Sequence, residues 1–406
     1  MAAVESRITV ITVDELDIQA QAVFPLSDQI LARLLKQIRR QQPRVIGLDI
    51  FRDFPVEPGQ EELMNVFRET QNLVAIEKLV GTQISAPSAL TNPQQQGFAD
   101  QVIDRDGTVR RGLLSLYLED ELHISFALQI ALRYLGADGI VPEPLEHDKI
   151  RLGRSTLVPL TSNSGGYVRA DVGGYQVLMN YHGDTDRFLS FSLQAALMGR
   201  IPDDAIRDRI VLIGTTAPTV NDLLLTPFSR KINSIPNQMP GVFVHANLIS
   251  QLLSAALEGR SLMRVWPSMI NYLWVVFWTV LGTAIGGLSR LNWKWVLVFL
   301  GLSFGLVGMG YVAFLLCWWI PIVPATIAFW TSTLIVTLLF ARQSEHLWLR
   351  QTVTEILSEQ TKNPAATKIA LEYLKQGENP KNKRVIDSMV AASKTGSPQL
   401  GRKRDS

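Results

Sequence analysis

Acidic residues of this chain fall at the ends of apolar, strand-like runs. Asp14 and Glu15 follow Ile8–Val13, Asp49 and Asp53 lie at or beyond the end of Val45–Ile50, and Glu77 follows Leu73–Ile76. Ligands of open α/β sheets bind outside the carboxyl ends of strands, so acids gathered there could hold a metal or a cationic ligand. A plainer role competes with this, because Asp also ends strands by capping turns and accepting backbone N–H groups. Asp49 stands apart, since it sits inside the apolar stretch Leu48–Ile50. An ionised group there needs a partner such as Arg44, Arg52 or a backbone donor to offset its desolvation. With fixed partners it is a structural requirement and not a catalytic group.

Two further features could carry chemistry. The turn Gly214-Thr-Thr-Ala217 follows a buried run, and its N–H groups could cradle an anion, but it lacks the lysine and the helix start of a phosphate loop. His245 falls near the apolar face made by Leu248, Ile249, Leu252 and Leu253. It is either a core histidine bonded to a neighbour or, given its titration range, a ligand contact or pH-sensitive group. No Gly-x-Ser-x-Gly elbow occurs, the histidines lack metal-ligand spacing, and Cys317 is the single cysteine. No catalytic residue, metal or cofactor is therefore assigned.

The elements that must position these residues alternate between two periodicities, which predicts an α/β fold with a mixed or largely parallel sheet. Strands are expected at Ile8–Val13, Val45–Ile50, Leu73–Ile76, Gln176–Tyr181 and Ile210–Ile213, with a hairpin over Val102–Tyr117 turning at Asp106-Gly107. Helices are expected where Leu26, Ile30, Leu31, Leu34, Leu35 and Ile38 share a face behind an N-cap at Ser27, and again at Ile124–Leu135, Phe191–Met198 and Val244–Leu257. The stretch Ser162–Gly174, rich in Gly and Ser, reads as a loop.

After residue 265 the composition changes. The runs Met269–Leu288, Trp295–Leu316 and Trp319–Ala341 contain no Asp, Glu, Lys, Arg or His. At ~1.5 Å per residue each reaches the ~30 Å of a bilayer's hydrocarbon core. All nine tryptophans fall between Trp266 and Trp348, most of them near run ends, where indole rings favour the headgroup layer. An all-α bundle of three transmembrane helices is thus expected over 266–341. Arg290 and Lys294 in the first loop, with Arg342 and Arg350 after the last run, place those segments inside by the positive-inside rule, although Arg260 and Arg264 dissent. Residues 1–265 are then outside and the C-terminus is cytoplasmic, in a multi-pass protein of the inner (plasma) membrane. An exported domain of this size normally follows a signal or anchor; Ile8–Val13 is too short to be one, so a start further upstream is expected.

Downstream, residues 342–375 are expected to be a juxtamembrane helical segment, with one helix around Leu347–Leu357 and another at Thr367–Lys375. Residues 376–406 are expected to be a disordered basic tail, whose Lys381–Arg384 and Arg402–Arg404 clusters suit anionic membrane lipid. A net charge of only +2 over 406 residues gives no electrostatic reason to expect nucleic acid. The tail has none of the loops of a protein kinase.

The order and spacing of several motifs over about residues 7–260 resemble the second type of CHASE domain, an extracytoplasmic sensory module of bacterial receptors. They are Ile8-Thr-Val-Ile-Thr-Val-Asp-Glu15, Gln42-Pro-Arg-Val-Ile-Gly-Leu-Asp49, Gly97-Phe98 with Asp104-Arg-Asp-Gly107 and Val109-Arg-Arg111, Asp208-Arg-Ile-Val-Leu-Ile-Gly214 with Asn221-Asp222, and Met239-Pro-Gly-Val-Phe-Val-His-Ala-Asn247. The version here looks like the cyanobacterial branch. The resemblance implies an α/β sensory domain, three spans and signal transduction. It also marks two departures: members usually begin with an extra span and end in an output domain. Asp14, Asp49, Thr215, Asp222, His245 and Asn247 are the candidate ligand-binding residues. The expected function is a sensor that binds an unknown small-molecule or periplasmic signal and relays it to a separate cytoplasmic or membrane signalling partner, with a homodimer left open. Two rival readings are a metal-assisted hydrolase using Asp14, Asp49 and His245, and a membrane scaffold without a ligand.

Overall fold

The computed structural model describes residues 4–21, 25–229, 237–288, 293–359 and 363–394. It divides into two compact units, Met1–Trp266 with Phe314–Trp319, and Pro267–Ala313 with Ile320–Ser406.

The first unit is built on a six-stranded sheet in the order Phe188–Ser192, Glu5–Val13, Ile210–Thr215, Val45–Asp49, Leu73–Glu77 and Gln96–Phe98, every neighbouring pair parallel. Apolar side chains on alternating sides explain why helices cover both faces. Ile8, Val10, Val45, Val74, Ile210 and Leu212 pack with the helices Phe126–Gly136 and Gly241–Leu253. Ile11, Val13, Ile46, Leu48, Ala75, Val211 and Ile213 pack on the other side with Asp28–Arg40, Gln60–Glu69 and Leu193–Leu197. Gly97 permits a close approach of backbone to backbone, since a Cβ there would stand 2.6 Å from the Cα of Phe126. A smaller antiparallel sheet joins Tyr175–Leu178, Val109–Leu118 and Val102–Ile103, with Glu121–Ile124 folding back on the long central strand.

The expected strands and helices occur with shifted ends. Ser27 is the N-cap residue of Asp28–Arg40 without a side-chain capping bond. The expected helix Val244–Leu257 begins at Gly241 and changes at Ser254–Glu258 into a wider π-type turn. The expected helix at Phe191–Met198 is shortened, because Phe191 and Ser192 end a parallel edge strand. Ser192 Oγ then caps the short helix Leu193–Leu197 by accepting from the Ala195 N–H.

In the second unit, Ser268–Leu288, Trp293–Leu315 and Ile322–Ser358 are long and apolar enough to cross a membrane. Gly282 and Gly286 lie against the third of these helices: Cβ atoms there would meet Phe329 O at 2.5 Å and Thr333 O at 2.7 Å. A small-residue seam of this kind lets two apolar helices approach closely. The third helix continues unbroken past Ala341, so the expected separate helix near Leu347–Leu357 is its extension. The expectation of a disordered tail from residue 376 is corrected over Pro380–Lys394, which is helical. Composition missed it because Ile386 and its neighbours find burial with Leu349, Val353 and Leu371 of the adjoining helices. The loop residues 289–292, with Arg290, and the basic cluster at 402–404 lie outside the described residues.

Candidate functional site

Parallel strand register decides which side chains meet. Ile213 pairs with Leu48 and Gly214 with Asp49, so Asp49 ends its strand one residue short of the end of the neighbouring strand at Thr215. Beyond them the chain makes a short turn at Pro218–Val220, and Asn221 takes a left-handed conformation at φ 61°, which an Asn tolerates better than most residues. This brings Asp222 to the first turn of the helix Gly241–Leu253, where the Gly241 N–H donates to the Asp222 carbonyl at 3.0 Å. One turn further along that helix is His245.

Asp49, Thr215, Asp222 and His245 together line a cavity of about 690 Å³, with Asp53, Lys78, Asp100 and Gln101 also at its wall. Phe51, Ile76, Ile84 and Ile103 supply apolar surface to the same space. The cavity therefore lies at the carboxyl ends of the central strands, where the chain has placed the later strand Ile210–Thr215 between two earlier ones.

Burial governs the electrostatics. Asp49 is 9% exposed, its Oδ2 has no hydrogen-bond partner, and burial together with the nearby Asp222 charge holds its carboxyl well above the usual range. Burial also pushes Asp222 up to about 6, partly countered by the Gly241 N–H. His245 is driven down to about 4 by burial and is therefore a neutral imidazole at pH 7. The side-chain amide nitrogen of Gln101 lies 3.2 Å from its Nε2, and Phe126 meets the ring edge-on at 5.2 Å between centroids. The site thus presents two carboxyl groups whose ionisation burial disfavours, beside an imidazole uncharged at neutrality.

The expected partners of Asp49 are engaged elsewhere. Arg44 bonds to Asp208 at 2.7 Å and Asp138 at 2.8 Å and lies over the Tyr134 ring. Arg52 pairs with the buried Asp28 at 3.5 Å and donates to the Leu26 carbonyl. Asp49 is consequently a cavity residue and not one arm of a fixed ion pair.

Asp14 and Asn247 do not join the cavity. Asp14 Oδ1 accepts from the Asp17 N–H at 2.8 Å at the start of the helix Glu15–Gln21, the capping role of an acid that ends a strand. Asn247, fully buried, accepts from the backbone N–H groups of His182 and Gly183 and donates to Phe243 O, pinning a loop to its helix. The hydrolase reading loses one of its acids in this way. Among the described residues, no group of three His, Cys, Asp or Glu side chains could hold a metal ion. Gln101 and Asp100 escaped sequence reasoning; they follow the three-residue strand Gln96–Phe98, too short to register as a periodic run.

The architecture is that of an α/β domain joined to three apolar helices. A family model described as the CHASE2 domain matches residues 1–284, and the chain belongs to that family. CHASE2 is an extracytoplasmic sensory domain without catalytic function of its own. No curated protein and no solved structure matches the chain.

Proposed function

We propose that this chain is a multi-pass plasma-membrane receptor whose cavity at Asp49 and Asp222 binds a small molecule outside the cell. Occupancy is relayed through the three spans to a separate output protein. One observation carries the ligand reading: a carboxyl oxygen of Asp49 is buried at a cavity wall with no partner, a costly arrangement that an arriving hydrogen-bond donor relieves. The sheet-end location favours the same reading.

Orientation is supported by the turn Phe314–Trp319, which belongs to the same unit as the sensory domain and joins the second and third apolar helices. Three spans then leave the C-terminus on the opposite side, in line with Arg342 and Arg350 after the last apolar stretch. The long helix Ile322–Ser358 carries the signal inward, and its packed partners Pro364–Gly377 and Pro380–Lys394 form the surface an output protein would read.

Two measurements test this. In a background lacking Cys317, cysteine at the exposed Tyr117 should react with an impermeant maleimide on intact cells while cysteine at Ser397 should not; the reverse pattern overturns the orientation. Thermal-shift screening of the full chain in nanodiscs, using a library of amines, sugars and carboxylates, should find stabilising compounds. Ile103→Trp, at the exposed rim of the cavity, should abolish their effect. A library without any such compound argues for a scaffold.

A further inference from the structure

We infer that the cavity is built for a small organic cation, a primary amine with an apolar body whose ammonium group is received by Asp49 and Asp222. The inference rests on the cavity being the receptor's ligand site, and it adds the chemical class of the ligand.

The charged groups at the wall are unequal in number and in engagement. Asp49, Asp53, Asp100 and Asp222 are acids, Lys78 is the sole base among the described residues there, and His245 is neutral. Asp100 is already satisfied, its two oxygens accepting from the Leu79 and Val80 N–H groups at 2.8 and 3.1 Å. Arg52, three residues beyond Asp49, is committed to Asp28. Among the described residues no cationic side chain is paired with Asp49, and its Oδ2 is without any partner. A buried acid in that state is held neutral at the expense of its ionised form, and a cation delivered to it reverses the balance. An ammonium group suits this role, because it brings three donors and a point charge to two carboxyl groups that line one cavity.

Other ligand classes fit less well. An anion would meet several acids and one lysine. A bare divalent metal needs a denser ligand set than the described residues provide. The apolar wall at Phe51, Ile76, Ile84 and Ile103 calls for a hydrocarbon or aromatic body, and the volume is that of a small-molecule site.

Proton linkage follows from the geometry. The amine stays charged to about pH 10, as a lysine does. Binding favours the ionised form of the Asp49–Asp222 pair, so affinity should rise with pH through the range in which the pair ionises, about 6 for Asp222. Lys78, Asp53 and Asp100 face the same space and set the background field, while His245 stays uncharged over that range.

The test is calorimetric titration of the full chain in nanodiscs with phenethylamine and hexylamine, their alcohols, and phenylpropanoate and hexanoate. The expected result is amine binding that is about tenfold or more tighter than that of the matching alcohol or carboxylate. It should strengthen with pH and be lost in both Asp49→Asn, which keeps the side chain's shape, and Ile103→Trp. An alcohol or carboxylate that binds as well as the amine, and is blocked by Ile103→Trp, overturns the amine assignment and leaves the ligand cavity standing. Absence of binding by every compound, or binding indifferent to both substitutions, overturns the amine assignment and the ligand reading of this cavity together.

Discussion

Gly241 has no side chain at the point where the carboxylate of Asp222 rests: a Cβ there would stand 2.4 Å from Asp222 Oδ2. The glycine thus lets an acid reach the first turn of a helix, where free N–H groups favour negative charge. Gly241→Ala is expected to push the Asp222 side chain toward solvent and so to weaken the dependence of stability on pH between about pH 4 and pH 6. Better helix propensity offsets the local strain by up to about 1 kcal/mol, so the melting temperature at pH 7 should change little. A variant with an unaltered pH profile would show that Asp222 tolerates the intrusion.

The cavity makes stability depend on pH in two opposed ways. Asp49 and Asp222 have native values raised above their unfolded ones by burial, so the stability they contribute is complete below about pH 4 and is lost as pH rises through the native values, about 6 for Asp222. His245 has a native value below its unfolded one, so its contribution is complete above about pH 6.5 and lost as pH falls toward 4. Melting followed by circular dichroism should therefore show an acid-derived loss of stability with rising pH, read as the difference in slope between the parent protein and Asp49→Asn. Equal slopes in the two proteins would exclude Asp49 as its source.

Asp49→Asn should also leave stability at pH 7 unchanged or raised, because it removes a buried ionisable group whose Oδ2 makes no bond. Asp49→Ala should cost no more than about 1–2 kcal/mol, well short of the 3–5 kcal/mol expected when a buried ion pair is broken. Chemical denaturation of the two variants checks this, and a loss near the larger figure would mean that a fixed partner exists after all.

The larger penalty belongs at Asp104. Its Oδ1 accepts from Arg111 Nε at 2.9 Å, and its Oδ2 from Arg110 at 3.0 Å and the Tyr167 hydroxyl at 2.9 Å. Arg111 and Asp104 are both over nine-tenths buried at the side chain. Asp104→Asn should cost on the order of 3–5 kcal/mol by leaving the Arg111 charge uncompensated. A drop in melting temperature of roughly 10 °C is the expected reading, with amine binding retained below the transition. A silent substitution would contradict the assignment of this network to stability.

Sequence patterning reached the centre of the fold more surely than its margins. Val45–Asp49 and Ile210–Thr215 are buried along their whole length and read as strands from composition alone. Phe188–Ser192 is an edge strand whose polar residues hide its period, and Gln60–Glu69 starts behind Gly59 at φ 112° with no side-chain cap to announce it. The same contrast holds at the cavity. Asp49 and Thr215 follow the rule of strand ends, and the rule fails at Asp14 because Asp17 is close enough to claim its carboxylate. Asn247 lies two residues past His245, about 200° around the helix, which turns it to a different neighbour. Such choices depend on which loops arrive beside each end, and no local pattern records that.

The turn Phe314–Trp319 has one more consequence. Residues 1–265 contain no tryptophan, yet Trp319 packs edge-on against Tyr167 at 5.3 Å and beneath Gly165 and Gly166, and Trp318 lies near the Arg264 guanidinium. The sensory domain therefore borrows its indole chromophores from the stretch between two spans. With the other seven tryptophans replaced by Phe, the emission of Trp318 and Trp319 would turn this seam into a built-in optical gauge that reports on the base of the domain without any attached dye.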